Sequence, residues 1–227
     1  MVKKRVIKGL NNTREKISSL DFDAHWYRRV FHAFGASFVF YYMLPDIDWI
    51  NILKIIIPAI IVIIAIALEI LRIKGYISSR HFFGLRMYEK KRIGSYVFFA
   101  IGILILLIFF PQQIAIPCIL CACLGDPIIG EIRKRFSKKY VYIFGFLTCM
   151  SFFVITWHTV NITILLLVSV VGSLGAIIGE TKKFYWLDDD FMIQILPAIM
   201  LGIIWIALPY LGFNYPDIII HPFNWPW

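Results

Sequence analysis

The chain has 227 residues, of which 60% are hydrophobic and 16% charged, with a mean hydropathy of +0.77 and a formal net charge of +9. A soluble domain carries about 25% charged residues, so these values exclude an ordinary water-soluble fold and intrinsic disorder alike. The 23 Lys and Arg stand between long apolar runs, which excludes a nucleic-acid-binding domain and leaves one polytopic membrane domain of all-α class.

The opening stretch MVKKRVIKGLNNTREK is polar and basic, and no cleavable signal peptide is expected from it. A spanning helix needs about 20 mostly apolar residues. Reading for such runs predicts about seven transmembrane helices, over 30–44, 52–71, 93–110, 114–125, 141–157, 160–179 and 191–213. The fourth is short and ends at an acid, Asp126, which predicts a helix end lining a polar cavity. Cys118, Cys121, Cys123 and Cys149 all lie inside apolar runs. They read as small residues packed between helices, with neither a disulfide framework nor a metal site expected. Gly172, Gly175 and Gly179 fall on nearly one face of the sixth span and predict close helix packing.

Charge placement orients these spans. Segments 1–30, 69–92, 126–139 and 180–190 hold 8, 7, 5 and 2 basic residues, 22 of the 23. Seven spans put all four on one side, which the positive-inside rule makes cytoplasmic, with the amino terminus inside and the carboxyl terminus outside. Lys3, Lys4, Arg5, Lys138 and Lys139 read as solvated charges that set this topology. The tail FNYPDIIIHPFNWPW suits the outer interface, where aromatic side chains gather.

Eleven of the 14 acids share the basic side, and several sit at helix ends rather than in open loops. Asp126 follows ILCACLG, Glu180 closes the sixth span, and Asp188, Asp189 and Asp190 open the seventh. Ionisable groups at membrane depth are costly and mark functional candidates. Carboxylates hold Mg²⁺ through one or two oxygens and leave its other positions to water and phosphate, while Lys and Arg bind the remaining phosphate oxygens. Three adjacent carboxylates repel one another, and a cation relieves that repulsion. Asp126, Glu180 and Asp188–Asp190 are therefore candidate metal ligands. Arg86, Lys90, Lys91, Arg133 and Arg135 form the pool for phosphate contacts. Glu69 and Arg72 share a helix face at i, i+3 and read as a structural pair. His32, four residues after Arg28, is read three ways: orienting a substrate hydroxyl, acting as a general base, or packed and hydrogen-bonded. No Walker-type phosphate loop occurs.

Five ordered blocks carry a resemblance. They are RRVFH at Arg28–His32; E-x-x-R at Glu69 and Arg72; LRMYEKKRIGSYVFFAIG with Arg86, Glu89 and Tyr96; FFPQQIAIPCILCACLGDPIIGEIRKRF with Gly125 and Asp126; and GAIIGE, Gly175–Glu180, followed by LDDDF. Over residues 28–196 the chain resembles the polytopic CTP-dependent lipid kinases: dolichol kinase, phytol kinase and the CTP-dependent diacylglycerol kinases. It departs from them in Asp190, where the family usually has Asn, and in Gln194, where a proline is common. Small residues and Gly-Arg-Arg after Gly125-Asp126 are replaced by PIIGEIRKRF, with Arg133 and Ser137 at glycine positions and Pro127 expected to fix the turn.

The resemblance implies a basic cytoplasmic segment 1–29, a membrane kinase-like domain 30–213 and an interfacial tail 214–227. It implies transfer of the terminal phosphoryl group of CTP to a polyprenol-, dolichol- or diacylglycerol-like alcohol, with Mg²⁺, at the cytoplasmic face. His32, Asp126 and Asp189 would be catalytic. Arg72, Arg86, Glu89, Lys90, Lys91, Arg133 and Arg135 would serve the nucleotide. The implied partners are the lipid alcohol, the nucleotide and membrane lipids, with no nucleic acid. Two other readings stay open from the residues: a cytidylyltransferase acting on a lipid phosphate, and a small transporter or structural membrane protein.

Overall fold

The computed structural model describes residues 30, 32–77, 92–181 and 187–223. The described residues contain seven α-helices: α1 Asp48–Ile73, α2 Ser95–Phe109, α3 Gln112–Leu120, α4 Asp126–Arg135, α5 Lys138–Thr156, α6 Ile162–Thr181 and α7 Asp189–Ala207. A π-helical stretch, Cys121–Gly125, joins α3 to α4, so Gln112–Arg135 runs on as one helix of 24 residues. That helix together with α1, α5, α6 and α7 makes five helices long and apolar enough to cross a membrane. The chain is all-α and reads as an integral membrane protein.

Three expectations change. The first span, 30–44, is a short helical turn followed by a 3₁₀ helix, Ala36–Met43. Eight residues of 3₁₀ helix rise only about 16 Å, against a hydrocarbon core of about 30 Å. Gly35 seats this segment: a Cβ there would lie 2.6 Å from Phe99 Cζ and 2.9 Å from Cys123 Sγ, so it is packed between α2 and the π stretch. The third span contracts to the 15 residues of α2. The fourth does not end at Asp126; its helix continues to Arg135, and Pro127, expected to fix a turn, stands inside that continuous helix just after the π stretch.

Helix α1 buries a single stripe, Pro58, Val62, Glu69 and Arg72, and packs along α2. Its other faces carry Ile and Leu outward, which suits lipid as solvent. The core lies between α2, α3, α5, α6 and α7, around Leu106, Ile114, Phe153, Trp157, Val168 and Leu201. Pro117 inside α3 has no N–H for the Gln113 carbonyl one turn back. Trp157 Nε1 donates to that carbonyl at 2.8 Å, so the buried acceptor is satisfied by the residue that ends α5.

Helices α6 and α7 form the most extensive contact, and the predicted glycines explain it. A Cβ at Gly175 would sit 2.9 Å from Pro197 Cα, and one at Gly179 would strike the Met192 carbonyl. Gly172 points elsewhere, 2.8 Å from the Phe153 ring of α5. Because the obstacle at Gly179 is backbone, Gly179→Ala is expected to cost about 1–3 kcal/mol, lowering the thermal midpoint in detergent. Gly130→Ala in α4 meets nothing within 4 Å and should be neutral or slightly stabilising, since Ala favours helix over Gly by about 1 kcal/mol.

The carboxyl-terminal tail is fastened at one end of the bundle. Gln113 Nε2 donates to the carbonyls of Pro216 and Asp217, Gln112 exchanges two hydrogen bonds with Ile220, and Phe223 N–H donates to Met43 O. Tyr215 stacks on Trp205 at 4.5 Å. Chain direction places His32, Asp126, Glu180 and Asp188 at the other end.

Candidate functional site

Three elements deliver the polar groups of that other end. The π stretch contributes an extra residue to the helical turn, which shifts the phase of everything after it; such stretches recur at functional sites. Asp126 is the first residue beyond it. His32 comes from the helical turn before Ala36–Met43; it is 3% exposed, and its ring centroid lies 4.8 Å from that of Phe99. Asp190 comes from the first turn of α7 and is 2% exposed. Its backbone is held on both sides: its N–H donates to Asp188 Oδ1 at 3.1 Å, and its carbonyl accepts from Gln194 Nε2 at 2.7 Å. Its carboxylate is turned to His32, with Oδ1 3.4 Å from Nε2.

One donor atom each from His32, Asp126 and Asp190 lies within 4.8 Å of the others. Asp188, Asp189 and Asp190 form a second such group that shares Asp190. Glu180, at the end of α6, is 7% exposed and divides its carboxylate. Oε1 accepts from Arg133 Nη2 at 2.6 Å, while Oε2 is buried with no hydrogen-bond partner, in the field of Asp126 and Asp189. A buried carboxylate oxygen left without a donor beside further carboxylates is the arrangement a bound cation satisfies. The donor set fits a divalent ion: Asp126, Asp188, Asp189 and Asp190 offer hard oxygens, and His32 an imidazole nitrogen.

Of the nucleotide-contact candidates, Arg133 is brought to the acids by Glu180 and remains half exposed. Arg135 lies two residues on, exposed, with Glu131 at 3.8 Å, and makes no ion pair with the site acids. Arg72 is buried in a brace: Nε and Nη2 grip Glu69 at 2.7 and 2.6 Å, and Nη2 also donates to the Arg92 carbonyl. Glu69 accepts further from Gly94 N–H and from Tyr96 O–H. The pair thus fixes the entry to α2 against the end of α1. Arg28, Arg86, Glu89, Lys90 and Lys91 lie outside the described residues. The cysteines are free and buried in the core. Sequence reasoning missed Gly35 and the π stretch; a glycine one turn after His32 is the signal that could have located the first.

Asp188 stands just before α7, outside its apolar span. Burial pushes its carboxyl from the ordinary 3.8 up to about 8, and the charges of Asp190 and Asp189 push the same way. Between those two values the folded state holds a proton that the unfolded chain has released, so stability falls as pH rises through the window. A divalent cation bound by these carboxylates would displace that proton and oppose the fall. Thermal melts in EDTA should therefore give a lower midpoint at pH 8 than at pH 5, a difference that Asp188→Asn reduces.

Fold and site together define an all-α protein with five potential membrane-crossing helices and a cluster of His and carboxylate groups at one end. No protein-family model, curated protein or solved structure matches the chain.

Proposed function

We propose that the protein is a membrane-embedded lipid kinase that transfers the terminal phosphoryl group of CTP to a lipid alcohol. The observation that carries this reading is the convergence of His32, Asp126 and Asp190 from three separate elements, beside a Glu180–Arg133 pair. The described basic residues Arg133, Lys134, Arg135, Lys138 and Lys139 follow Asp126 closely in the chain, so by the positive-inside rule we assign that end to the cytoplasmic face. CTP as donor rests on the resemblance in the five sequence blocks.

Phosphoryl transfer asks mainly for positioning and charge neutralisation. A divalent cation, once bound, neutralises phosphate oxygens. Asp126 and Asp190, with Asp188 and Asp189 alongside, hold it; Arg133, oriented by Glu180, meets an outer phosphate oxygen through the part of its guanidinium that faces solvent. The lipid hydroxyl oxygen forms the new bond to the terminal phosphorus, the bond to the bridging oxygen breaks, and CDP leaves. Asp189 takes the hydroxyl proton. The lipid approaches sideways, head group at the interface and tail between helices.

Chromatography of the nucleotide products, with purified protein, CTP and a lipid alcohol or lipid phosphate, separates the candidate reactions. CDP released with the alcohol is the expected result. Pyrophosphate released with the lipid phosphate would make the protein a cytidylyltransferase, and no product from either would favour a transporter or structural role.

A further inference from the structure

We propose that His32 is a ligand of the bound cation, and that the site therefore takes a first-row transition ion of the Mn²⁺ class in preference to Mg²⁺. The inference rests on the reading of this end as a cation site; it does not depend on phosphoryl transfer.

The donors come first. An imidazole nitrogen of His32 and one carboxylate oxygen each of Asp126 and Asp190 lie within 4.8 Å of one another. An ion about 2.1 Å from each of three donors spaces them about 3–4.2 Å apart, so only a small closure is needed. The three donors arrive from different parts of the chain, and His32 Nε2 and Asp190 Oδ1 already stand 3.4 Å apart. The His32 ring leans on Phe99, and its helical turn is seated by Gly35 against Phe99 and Cys123. Asp126 follows the π stretch that contains Cys123. Asp190 is fixed through its backbone by Asp188 and Gln194. A second observation points to the same ion: Glu180 Oε2, 93% of the residue being buried, has no hydrogen-bond partner and stands in the field of Asp126 and Asp189.

Ligand chemistry then sets the class of ion. Mg²⁺ demands oxygen donors in a tight octahedron and sheds its water reluctantly. Imidazole raises affinity for Mn²⁺ and the ions after it, and a mixed nitrogen and carboxylate set is their usual environment. The neighbouring all-oxygen group, Asp188, Asp189 and Asp190, has no such preference, so the identity of the donors to a bound ion distinguishes the two.

The test is electron spin-echo envelope modulation on the purified full chain in detergent, loaded with one equivalent of Mn²⁺ after EDTA treatment. The expected spectrum carries ¹⁴N modulation from a directly bound imidazole. His32→Gln abolishes the modulation, and a variant with His25, His81, His158 and His221 all replaced by Gln retains it. In competition, Mg²⁺ displaces Mn²⁺ only at tenfold or greater excess. Bound Mn²⁺ without ¹⁴N modulation, or modulation lost only in the four-histidine variant, overturns the assignment of His32 and leaves an all-oxygen cation site standing. No Mn²⁺ binding at all overturns this inference and the cation reading beneath the proposed function together. Because the wild-type spectrum and the four-histidine variant already decide the matter, the inference stays exposed even if His32→Gln fails to fold.

Discussion

Asp126→Asn is expected to lower phosphoryl transfer by about 10²–10³-fold, the range seen when one group that stabilises developing charge is removed. The substitution keeps the shape of the side chain and removes only its charge. Its position favours a clean result, because Asp126 continues an unbroken helix after Cys121–Gly125, and Pro127 follows it in the first turn. The backbone ladder therefore does not depend on the carboxylate. Asp126 also shares its surroundings with Asp190 and acts on Glu180, so relief of like-charge repulsion offsets other losses and the cation-free variant should melt close to the parent. Activity and the thermal midpoint in EDTA, measured on the same preparation, check both halves. A variant that loses both together would make Asp126 a structural residue.

Glu69→Gln carries the largest expected loss of stability. Arg72 is 3% exposed and is gripped through two nitrogens by Glu69. The amide still offers an oxygen to Gly94 N–H or Tyr96 O–H, but the guanidinium loses its counter-charge. Breaking a buried pair from one side costs about 3–5 kcal/mol. Replacing both residues with Leu removes the charge along with its partner, and should recover much of that loss by burying apolar surface between α1 and α2. Thermal midpoints of the single and double variants in one detergent form the cycle that measures this. If Glu69→Gln melts with the wild type, the brace does not hold α1 to the bundle.

Most of the helices were legible because lipid imposes a simple rule: a long apolar run must satisfy its own backbone, and does so as helix. The runs at 52–71, 141–157, 160–179 and 191–213 each fall on a helix whose ends differ by a few residues. The glycine stripe of α6 was legible for a similar reason, since Gly175 and Gly179 permit backbone contact with α7 whatever the side chains nearby. Asp126 looked like a helix end because a short apolar run stops at its charge. In the structure it continues a helix despite Pro127 and Gly130, with the π stretch before it absorbing the irregularity and Ile129 buried on the inner face. The 30–44 run misled in the opposite direction. Its apolar composition predicts a span, but the segment is a short helical turn and a 3₁₀ helix, seated against Phe99 and Cys123 through Gly35.

Site chemistry was legible by residue type and less so by partner. The acids of 126, 180 and 188–190 could be picked out by their place at the ends of apolar helices. That Glu180 stands between Arg133 and the carboxylates of Asp126 and Asp189 depends on the meeting of α4 and α6, with Arg133 and Glu180 47 residues apart, which no local pattern encodes. The same holds for His32 and Asp190, which meet from opposite ends of the chain.

The central claim is most directly tested by the fate of the terminal phosphate of CTP. Purified protein in detergent is incubated with CTP labelled at that position, a divalent cation, and polyprenol, a phytol-like alcohol or diacylglycerol in separate reactions, and the lipids are extracted. Label in the organic phase as a lipid monophosphate, with an equal amount of CDP in the aqueous phase, is the predicted result. Label that stays in the aqueous phase with all three alcohols, from protein that still melts cooperatively, would contradict it.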